Sequence, residues 1–424
     1  MVTVRDGQRL IEAEPEEVGL SSVKLQNLTR LVQGYVDSGK IPGAITVVAR
    51  RGKTVHFETY GARDSEAGAP ITADTIFRLY SMTKPITSVA LMTLYEEGKF
   101  QLDDPVATFI PELRDLKVYD AGTPESYTVR DPARAITVRD TLMHTTGLAN
   151  GGRSTPGRLF EAAQLPHLRG DGRLKESWTL ADMIRTVARL PLQFDPGAHW
   201  SYGISTDICA SLCEVISGTS FDQFLQQRIF DPLQMTDTGY VVPPSAVDRL
   251  AACYRRGRPD EASYVLTDPP GDSRYSRAKT YHSGAGGLTS TAADYLRFCK
   301  MLAGGGASEG SDGARILGSR TVELMTINHL SGNRDLASMA LGGPSETAME
   351  GIGFGLGFAV LLDPTVAQVI GTPGEYYWGG AASTAFFVSP KEDLILIFLT
   401  QLQPSGTYPF RRELRAATYQ AIIE

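Results

Sequence analysis

Strand-like segments stand near both ends of this chain of 424 residues, and a long stretch of different character separates them. Residues 44–49 and 53–60 flank an Arg51-Gly52 turn, and apolar and polar side chains alternate along the second run, which indicates a β-hairpin. Residues 384–388 and 394–400 predict a second hairpin. Antiparallel strands from both chain ends can therefore share one sheet, with the terminal helices packed on its face.

Helical periodicity marks both termini and one internal segment. Residues 21–38 carry apolar side chains at helical spacing and predict an amphipathic helix, and residues 409–423 predict a closing helix. Residues 86–97 are apolar on nearly every side and end at Gly98, which indicates a buried helix with a glycine stop. One further strand is predicted at 354–362.

The middle of the chain, from about 110 to 275, alternates short helical patterns with loops rich in glycine and proline. It contains no convincing strand pair, and residues 149–176 are expected to form a long surface loop. The predicted helices lie at 137–144, 179–190, 204–217 and 221–230.

A chain of this length exceeds a single small core. We predict an α+β fold in two parts. Residues 1–110 and 276–424 form an α/β domain, whose antiparallel sheet is flanked by helices. Residues 111–275 form an inserted, mostly helical domain.

Composition excludes several classes of function. The chain has an ordinary globular composition, and its net charge of −7 argues against a nucleic-acid partner, which requires a basic face. No apolar run approaches the roughly 20 residues of a membrane span. The N-terminus lacks the apolar region of a signal peptide, so we expect a cytoplasmic location and no membrane partner.

Metal and cofactor sites are not expected either. The six histidines are scattered, without a His-Glu-x-x-His pattern, and no glycine-rich phosphate loop follows a strand. The cysteines have the spacing of neither a zinc site nor a disulfide framework. We therefore predict buried thiols in a reducing compartment at Cys209, Cys213, Cys253 and Cys299.

Two stretches match Ser-x-x-Lys, a short motif that only its context can interpret: residues 21–24 (Ser-Ser-Val-Lys) and residues 81–84 (Ser-Met-Thr-Lys). Ser21 opens an amphipathic helix after an acidic segment, where a serine is most simply an N-cap. Ser81 opens the apolar helix instead. We therefore assign the nucleophile to Ser81.

The apolar helix gives the second pair a plausible chemistry. Residues three apart share a helix face, so Lys84 can reach Ser81. First-turn N–H groups lack helical partners and can bind a developing oxyanion. Apolar surroundings disfavour a charged lysine, which lets Lys84 act as a base. The alternative, a capping serine beside a lysine that reaches solvent, fits this context poorly.

Residues 77–85 (Phe-Arg-Leu-Tyr-Ser-Met-Thr-Lys-Pro) resemble the active-site stretch of family VIII carboxylesterases, which are similar to class C β-lactamases and DD-peptidases. Further segments resemble this group in the same order: residues 142–148 (Leu-Met-His-Thr-Thr-Gly-Leu), 195–202 (Asp-Pro-Gly-Ala-His-Trp-Ser-Tyr), 284–298 and 378–380 (Trp-Gly-Gly). The resemblance implies a β-lactamase/penicillin-binding-protein-like fold.

The resemblance also implies roles that spacing alone does not assign. Tyr202 shuttles a proton between Ser81, Lys84 and the leaving group. A phenol, with a pKa near 10, needs a nearby cation for this, and Lys84 is the available one. The N–H groups of Ser81 and Ala381 form the oxyanion hole. Without the resemblance, Tyr202 is simply a buried aromatic ring.

The third motif departs from the β-lactamase pattern. Trp378, Gly379 and Gly380 stand where a Lys-Thr-Gly binds the substrate carboxylate, and the chain has no Lys-Thr-Gly. Ile204 stands at the asparagine of the Tyr-x-Asn motif, which none of the 17 tyrosines forms. An indole supplies apolar surface and one donor but no cation. Trp378 is thus a substrate-binding residue or, alternatively, a core aromatic.

The sequence therefore predicts a serine hydrolase that cleaves short-acyl carboxylic esters of small molecules through a serine acyl-enzyme, with weak β-lactam hydrolysis as a side activity. Three alternatives stay open: a β-lactamase or DD-peptidase, an acyltransferase with the same Ser-Lys-Tyr site, and a non-catalytic binding protein. The natural substrate and the oligomeric state are left open.

Two other signals are set aside. Ser308 lies in a Gly306-x-Ser-x-Gly310 match to the nucleophile elbow, but no strand precedes it, so we predict a surface loop. His282 precedes a helix rather than a sheet edge, and His144 is expected to be structural.

Overall fold

An antiparallel sheet of eight strands forms the centre of the protein. The computed structural model describes residues 10–165, 178–258, 263–308, 313–341 and 348–423. The strands are β1 (Gly43–Arg50), β2 (Lys53–Asp64), β3 (Ala69–Pro70), β4 (Phe77–Arg78), β5 (Val118–Thr123), β6 (Ser126–Arg130), β7 (Cys253–Arg256), β8 (Tyr264–Asp268), β9 (Thr289–Ser290), β10 (Ile352–Phe354), β11 (Ala359–Leu361), β12 (Tyr376–Gly379), β13 (Ala385–Ser389), β14 (Leu394–Leu399) and β15 (Leu402–Gln403). The α-helices are α1 (Ser22–Asp37), α2 (Thr83–Glu96), α3 (Val138–Met143), α4 (Thr155–Ala162), α5 (Leu180–Val187), α6 (Ser205–Ser217), α7 (Phe221–Leu225), α8 (Asp231–Leu233), α9 (Ala292–Ala303), α10 (Ser319–Met325), α11 (Leu336–Met339), α12 (Pro364–Ala367) and α13 (Phe410–Tyr419).

The two ends of the chain meet in this sheet, as the sequence predicts. Its strand order is β10-β11-β12-β13-β14-β1-β2-β3. β1 pairs with β14, and Ile45 lies opposite Leu399. The first and last hairpins are therefore neighbours, and every residue of β1 and β14 is buried.

Helices cover both faces of the sheet. Successive side chains of a strand point to opposite sides, so neighbouring residues of one strand contact different helices. In β13, Phe386 packs on Tyr295 of α9, with ring centroids 5.2 Å apart. Its neighbour Phe387 stacks on Tyr419 of α13, with centroids 5.7 Å apart. Burying one such aromatic side chain contributes about 1.5–3 kcal/mol. The terminal helices α1 and α13 lie against each other on one side.

Helix α2 is buried on every side, which accounts for its lack of a polar face. All residues from Thr83 to Leu94 are buried, and Gly98 follows the helix with a φ of 70°. α2 packs against α6, so it joins the sheet side of the molecule to the helical middle of the chain. The helix begins at Thr83, earlier than residue 86, the predicted start.

The predicted helices of the middle region are present, but the prediction that this region contains no strand pair is wrong. β5 pairs with β6, and β7 pairs with β8. The first ribbon is exposed along all of β6, so it has no buried face to impose an alternating pattern. The second ribbon is short, and β15, from a distant part of the sequence, pairs with β7 to complete a sheet of three strands.

Two other expectations need correction. The single strand predicted at 354–362 is a hairpin of β10 and β11, because Gly355 donates to the carbonyl of Phe358 and Gly357 turns the chain with a φ of 101°. Apolar side chains on both sides of Gly355 and Gly357 concealed this turn. The predicted loop at 149–176 contains α4, and residues 166–177 lie outside the described residues.

All four cysteines are buried and unbridged, as predicted. Among the described residues, none of the helices combines the length and apolar character that a membrane crossing requires. The division into domains at residues 110 and 275 stays a prediction.

Candidate active site

The predicted nucleophile lies in a strained turn at the start of α2. Residues Tyr80–Met82 form one 3₁₀ turn, and Tyr80 has a φ of 47°, a conformation that bulky residues rarely adopt. The Tyr80 ring packs edge-on against the Tyr275 ring, with centroids 6.4 Å apart, and this contact stabilises the turn. Strain of this kind concentrates at functional sites. Ser81 follows directly and is partly exposed.

Lys84 reaches Ser81 as the helical spacing predicts. Its side chain is 5% exposed, and Nζ lies 3.4 Å from Ser81 Oγ. Nζ also donates a hydrogen bond of 2.6 Å to the carbonyl of Ala285. One turn later, Thr87 Oγ1 donates to the carbonyl of Gly284 at 2.8 Å. The segment 284–285 therefore lies along the same face of α2.

Tyr202 completes a cluster with this pair. Its ring centroid is 4.6 Å from Lys84 Nζ. The ring stacks on Trp200, with centroids 5.9 Å apart and planes 13° apart, and meets the edge of His144 at 5.1 Å. Aromatic packing of this kind fixes a ring in one orientation. The structure thus brings together Ser81, Lys84 and Tyr202, from two distant parts of the chain.

Two segments of the family resemblance hold each other in place around Tyr202. The N–H of Gly197 donates to the carbonyl of Thr145 at 2.8 Å, and the N–H of Ser201 donates to that of His144 at 2.9 Å. Gly197 has a φ of 85°. These bonds between 142–148 and 195–202 explain why both segments are needed to place one tyrosine.

His144 is a buried neighbour of the cluster rather than a titrating member at neutral pH. It ends α3 with a φ of 59°. Burial, with a smaller contribution from the charge of Lys84, lowers the pKa of His144 well below its usual 6.5. The ring is therefore neutral and serves as packing for Tyr202, as the sequence suggests.

The third motif lies at the end of β12, next to the nucleophile turn. Gly380 donates to the carbonyl of Thr384 at 2.9 Å. A side chain at Gly380 would collide with the carbonyl oxygen of Leu79, so only glycine permits this approach. Ala381 follows Gly380, and Ser81 follows Tyr80, whose Cβ also lies beside Gly380. That the N–H groups of Ser81 and Ala381 bind an oxyanion stays a prediction.

Trp378 lies beneath Tyr202. Its ring is 5.4 Å from that of Tyr202 and meets Phe354 edge-on at 5.5 Å. The side chain is only 1% exposed, and Nε1 has no hydrogen-bond partner in the described part of the chain. The indole thus supports the tyrosine ring from below. Its neighbour Gly379 packs against the guanidinium of Arg411.

The structure adds a group that the sequence analysis did not select. Asp207 in the first turn of α6 is fully buried. Burial raises the pKa of its carboxyl group, while the hydrogen bond from Ser283 and the charge of Lys84 lower it. Its signal in the sequence is an acid in the first turn of a predicted helix, five residues after Tyr202.

The set-aside signals lie elsewhere. Ser308 follows the glycine turn after α9, and no strand leads into it. Ser21 caps α1, where its Oγ accepts a hydrogen bond of 3.3 Å from the N–H of Lys24, as predicted.

Comparison with known proteins places this geometry in a family. Residues 28–420 match the beta-lactamase family. A protein of Mycobacterium tuberculosis is 36% identical over 377 residues, which cover 88% of this chain and 89% of that protein. Esterase EstB of Burkholderia gladioli is 30% identical over 399 residues, covering 90% of this chain and 91% of the esterase.

A solved structure agrees with these matches. EstCE1, described as a hydrolase with promiscuous acyltransferase activity, has a TM-score of 0.74 and 27% identity, and the match covers 94% of this chain and 100% of that chain. The predicted fold class, the predicted resemblance to carboxylesterases and the predicted class of enzyme, a serine hydrolase, are confirmed. The chain belongs to the beta-lactamase family.

Proposed function

We propose that the protein is a carboxylesterase that cleaves short-acyl esters of small molecules through an acyl-enzyme on Ser81. The observation that carries this proposal is the distance of 3.4 Å between Lys84 Nζ and Ser81 Oγ, with the Tyr202 ring on the same amine. A nucleophile and a base within hydrogen-bond reach are the signature of covalent catalysis. The similarity to EstB and EstCE1 supports the ester as the substrate class.

The proposed reaction runs in two halves. Ser81 Oγ attacks the ester carbonyl, and its proton passes to the pair formed by Lys84 and Tyr202. The N–H groups of Ser81 and Ala381 stabilise the oxyanion. The alkoxide leaves with the same proton, which frees the alcohol and leaves an acyl group on Ser81. Water then attacks the acyl-enzyme and loses a proton to the pair, the bond between the acyl carbon and Ser81 Oγ breaks, and the pair returns the proton to Ser81 Oγ as the acid leaves.

The residues around this centre favour a neutral ester over a β-lactam. A β-lactam carries a carboxylate beside its reacting carbonyl, and an unpaired anion is costly to bury. Ile204, at the asparagine position, is an apolar and fully buried side chain, so this position supplies no amide to the site. Trp378 offers no cation. We therefore expect β-lactam hydrolysis to be a weak side activity.

Acyl transfer is the second candidate. The printed description of EstCE1 names acyltransferase activity beside hydrolysis. In such a reaction an alcohol replaces water in the second half, and the same Ser81, Lys84 and Tyr202 serve both. The outcome then depends on which nucleophile reaches the acyl-enzyme first.

A substrate panel tests the proposal. It contains p-nitrophenyl esters of increasing acyl length, a cephalosporin, a D-Ala-D-Ala peptide, and an ester with added alcohol. We expect the shortest esters to have the highest kcat/KM and a fluorophosphonate to label Ser81. A higher kcat/KM for the cephalosporin or the peptide would refute the carboxylesterase assignment. Product partition toward the new ester would identify an acyltransferase, and a protein that reacts with neither substrate nor label would be a binding protein.

A further inference from the structure

A buried carboxylate lies behind the proposed catalytic lysine. Asp207 Oδ1 accepts hydrogen bonds from the Ser283 hydroxyl at 2.7 Å and from the Ala285 N–H at 3.1 Å. The side chain is fully buried. Both contacts use Oδ1 as an acceptor, and burial raises the pKa of this carboxyl group above its usual value despite these bonds and the charge of Lys84.

Ala285 connects this carboxylate to Lys84. Its N–H donates to Asp207, and its carbonyl accepts the hydrogen bond of 2.6 Å from Lys84 Nζ. The loop 283–285 is therefore fixed on one side by Asp207 and presents an acceptor to the amine on the other side. A displacement of this loop would move the acceptor away from Lys84.

The charges of the two groups act on each other, since the Lys84 ammonium lowers the pKa of Asp207. Other titratable groups face the pair from the elements packed against it. Burial lowers the pKa of His144 and raises those of Tyr240, Tyr281 and Cys209, so these four are uncharged at neutral pH. The Tyr202 phenol faces Lys84 as well. A buried pair of opposite charges interacts more strongly than an exposed one.

We infer that Asp207 is a positioning residue of this site: it fixes Ala285 against Lys84 and supplies the negative charge that stabilises the Lys84 ammonium. This role deepens the proposed function and rests on it, because a negative charge that stabilises the ammonium makes the neutral Lys84 amine a stronger base for the Ser81 proton. Asp207 does not touch the reacting atoms in this arrangement. It acts through the lysine.

Titration of Lys84 in Asp207→Asn tests the inference. The protein is labelled with ¹³C at the lysine ε carbons, and the Lys84 signal is identified by its loss in Lys84→Arg. Removal of the negative charge lowers the midpoint of the Lys84 titration by about one pH unit. The limb of the kcat/KM profile that belongs to Lys84 moves to lower pH by the same amount.

Glu214→Gln is the matched control. It removes another carboxylate from α6, one that accepts a hydrogen bond of 2.9 Å from the N–H of Phe221. We expect this variant to leave the Lys84 midpoint in place. Asp207→Glu keeps the charge and should restore most of the wild-type midpoint. If Asp207→Asn does not fold, Asp207→Ser removes the charge with a smaller polar side chain.

The two levels of the proposal fail separately. A Lys84 midpoint that is the same in wild type and in the folded, charge-free variant would overturn the role of Asp207, even if the enzyme is active. A shifted midpoint in a protein that hydrolyses no ester would support the role and refute the proposed function. A purely structural Asp207 would lower the melting temperature without moving the Lys84 titration.

Discussion

The chain contains the same four-residue pattern in two places, and the fold makes different use of each. At residues 21–24 the Ser21 hydroxyl accepts a hydrogen bond from the backbone N–H of Lys24, and the lysine side chain is exposed. At residues 81–84 the Lys84 amine approaches the Ser81 hydroxyl, and the lysine is 5% exposed. The first serine caps the start of a helix, whereas the second lies within hydrogen-bond reach of a lysine amine.

Burial causes this difference. An exposed helix start leaves its serine free to satisfy an orphan N–H, and its lysine stays in water at no cost. A buried helix forces its lysine to find partners, which here are Ser81 and the carbonyl of Ala285. A short motif therefore acquires chemistry only from the environment of its helix.

The largest expected difference between the two stretches is in catalysis. Ser81→Ala should lower kcat for p-nitrophenyl acetate on the order of 10⁴–10⁶-fold, because the nucleophile is lost. Ser21→Ala should leave kcat/KM unchanged. Equal activity in the two variants would move the nucleophile away from Ser81.

Substitutions of the two lysines should differ almost as much in their effect on kcat. Lys84→Arg keeps a positive charge but cannot release its proton, so we expect a loss of about 10³-fold in kcat. Lys24→Arg should behave as wild type. Steady-state kinetics decide this, and an active Lys84→Arg variant would show that Lys84 provides charge alone.

Only the second stretch has a tyrosine partner, Tyr202. Removal of its hydroxyl should lower kcat less than the substitutions of Ser81 and Lys84. Tyr202→Phe keeps the ring contacts with Trp200, His144 and Trp378. We therefore expect a folded protein with kcat lowered about 10²-fold, from the loss of one proton-transfer group. Wild-type kcat in this variant, with an unchanged melting temperature, would exclude the hydroxyl from proton transfer.

The surroundings of the second stretch should also make stability depend on pH. His144 has a lowered pKa in the folded state, so the unfolded chain binds a proton that the native state does not. The stability it contributes is present above about pH 6.5 and falls by about 1.4 kcal/mol per pH unit as the pH drops below that value. The free energy of unfolding, measured with urea between pH 7 and pH 5, should change less with pH in His144→Gln than in the wild type. In Ser21→Ala it should change with pH as in the wild type.

The smallest effect belongs to the first stretch. Ser21→Ala removes an N-cap and should lower the free energy of unfolding by about 1 kcal/mol. Ser22→Ala, one residue into the helix, serves as the control. If both substitutions have the same small effect, the cap of α1 does not contribute measurably to stability.

Much of the fold follows from local pattern. Three elements lie where the sequence predicts them: the hairpin of β1 and β2, the hairpin of β13 and β14, and the buried α2. Burial of one face leaves an alternating pattern in the sequence, and burial of every face leaves an apolar stretch. The ribbon of β5 and β6 leaves no alternating pattern, since all of β6 and most of β5 are exposed. The turn at Gly357 is concealed because apolar side chains lie on both sides of its glycines.

The site divides in the same way. Spacing together with the apolar helix predicts Ser81 and Lys84, whereas Tyr202 and Ala381 enter through resemblance to a family. Asp207 escapes both routes, because nothing in the sequence near Lys84 indicates an acid 123 residues later in the chain. Its contact with Ala285 exists only after α6 has packed against α2.

The sequence by itself determined the elements whose cause is local: the contact of Ser81 and Lys84 at i and i+3, the cap at Ser21, the buried helix and the two terminal hairpins. The tertiary structure decided which distant groups meet. It placed the Tyr202 ring 4.6 Å from Lys84 Nζ and brought Gly380 against the nucleophile turn. The physical reason is that a helix pair is fixed by backbone geometry over one turn. A contact between distant segments depends instead on the packing of whole helices and sheets, which no short stretch of sequence specifies.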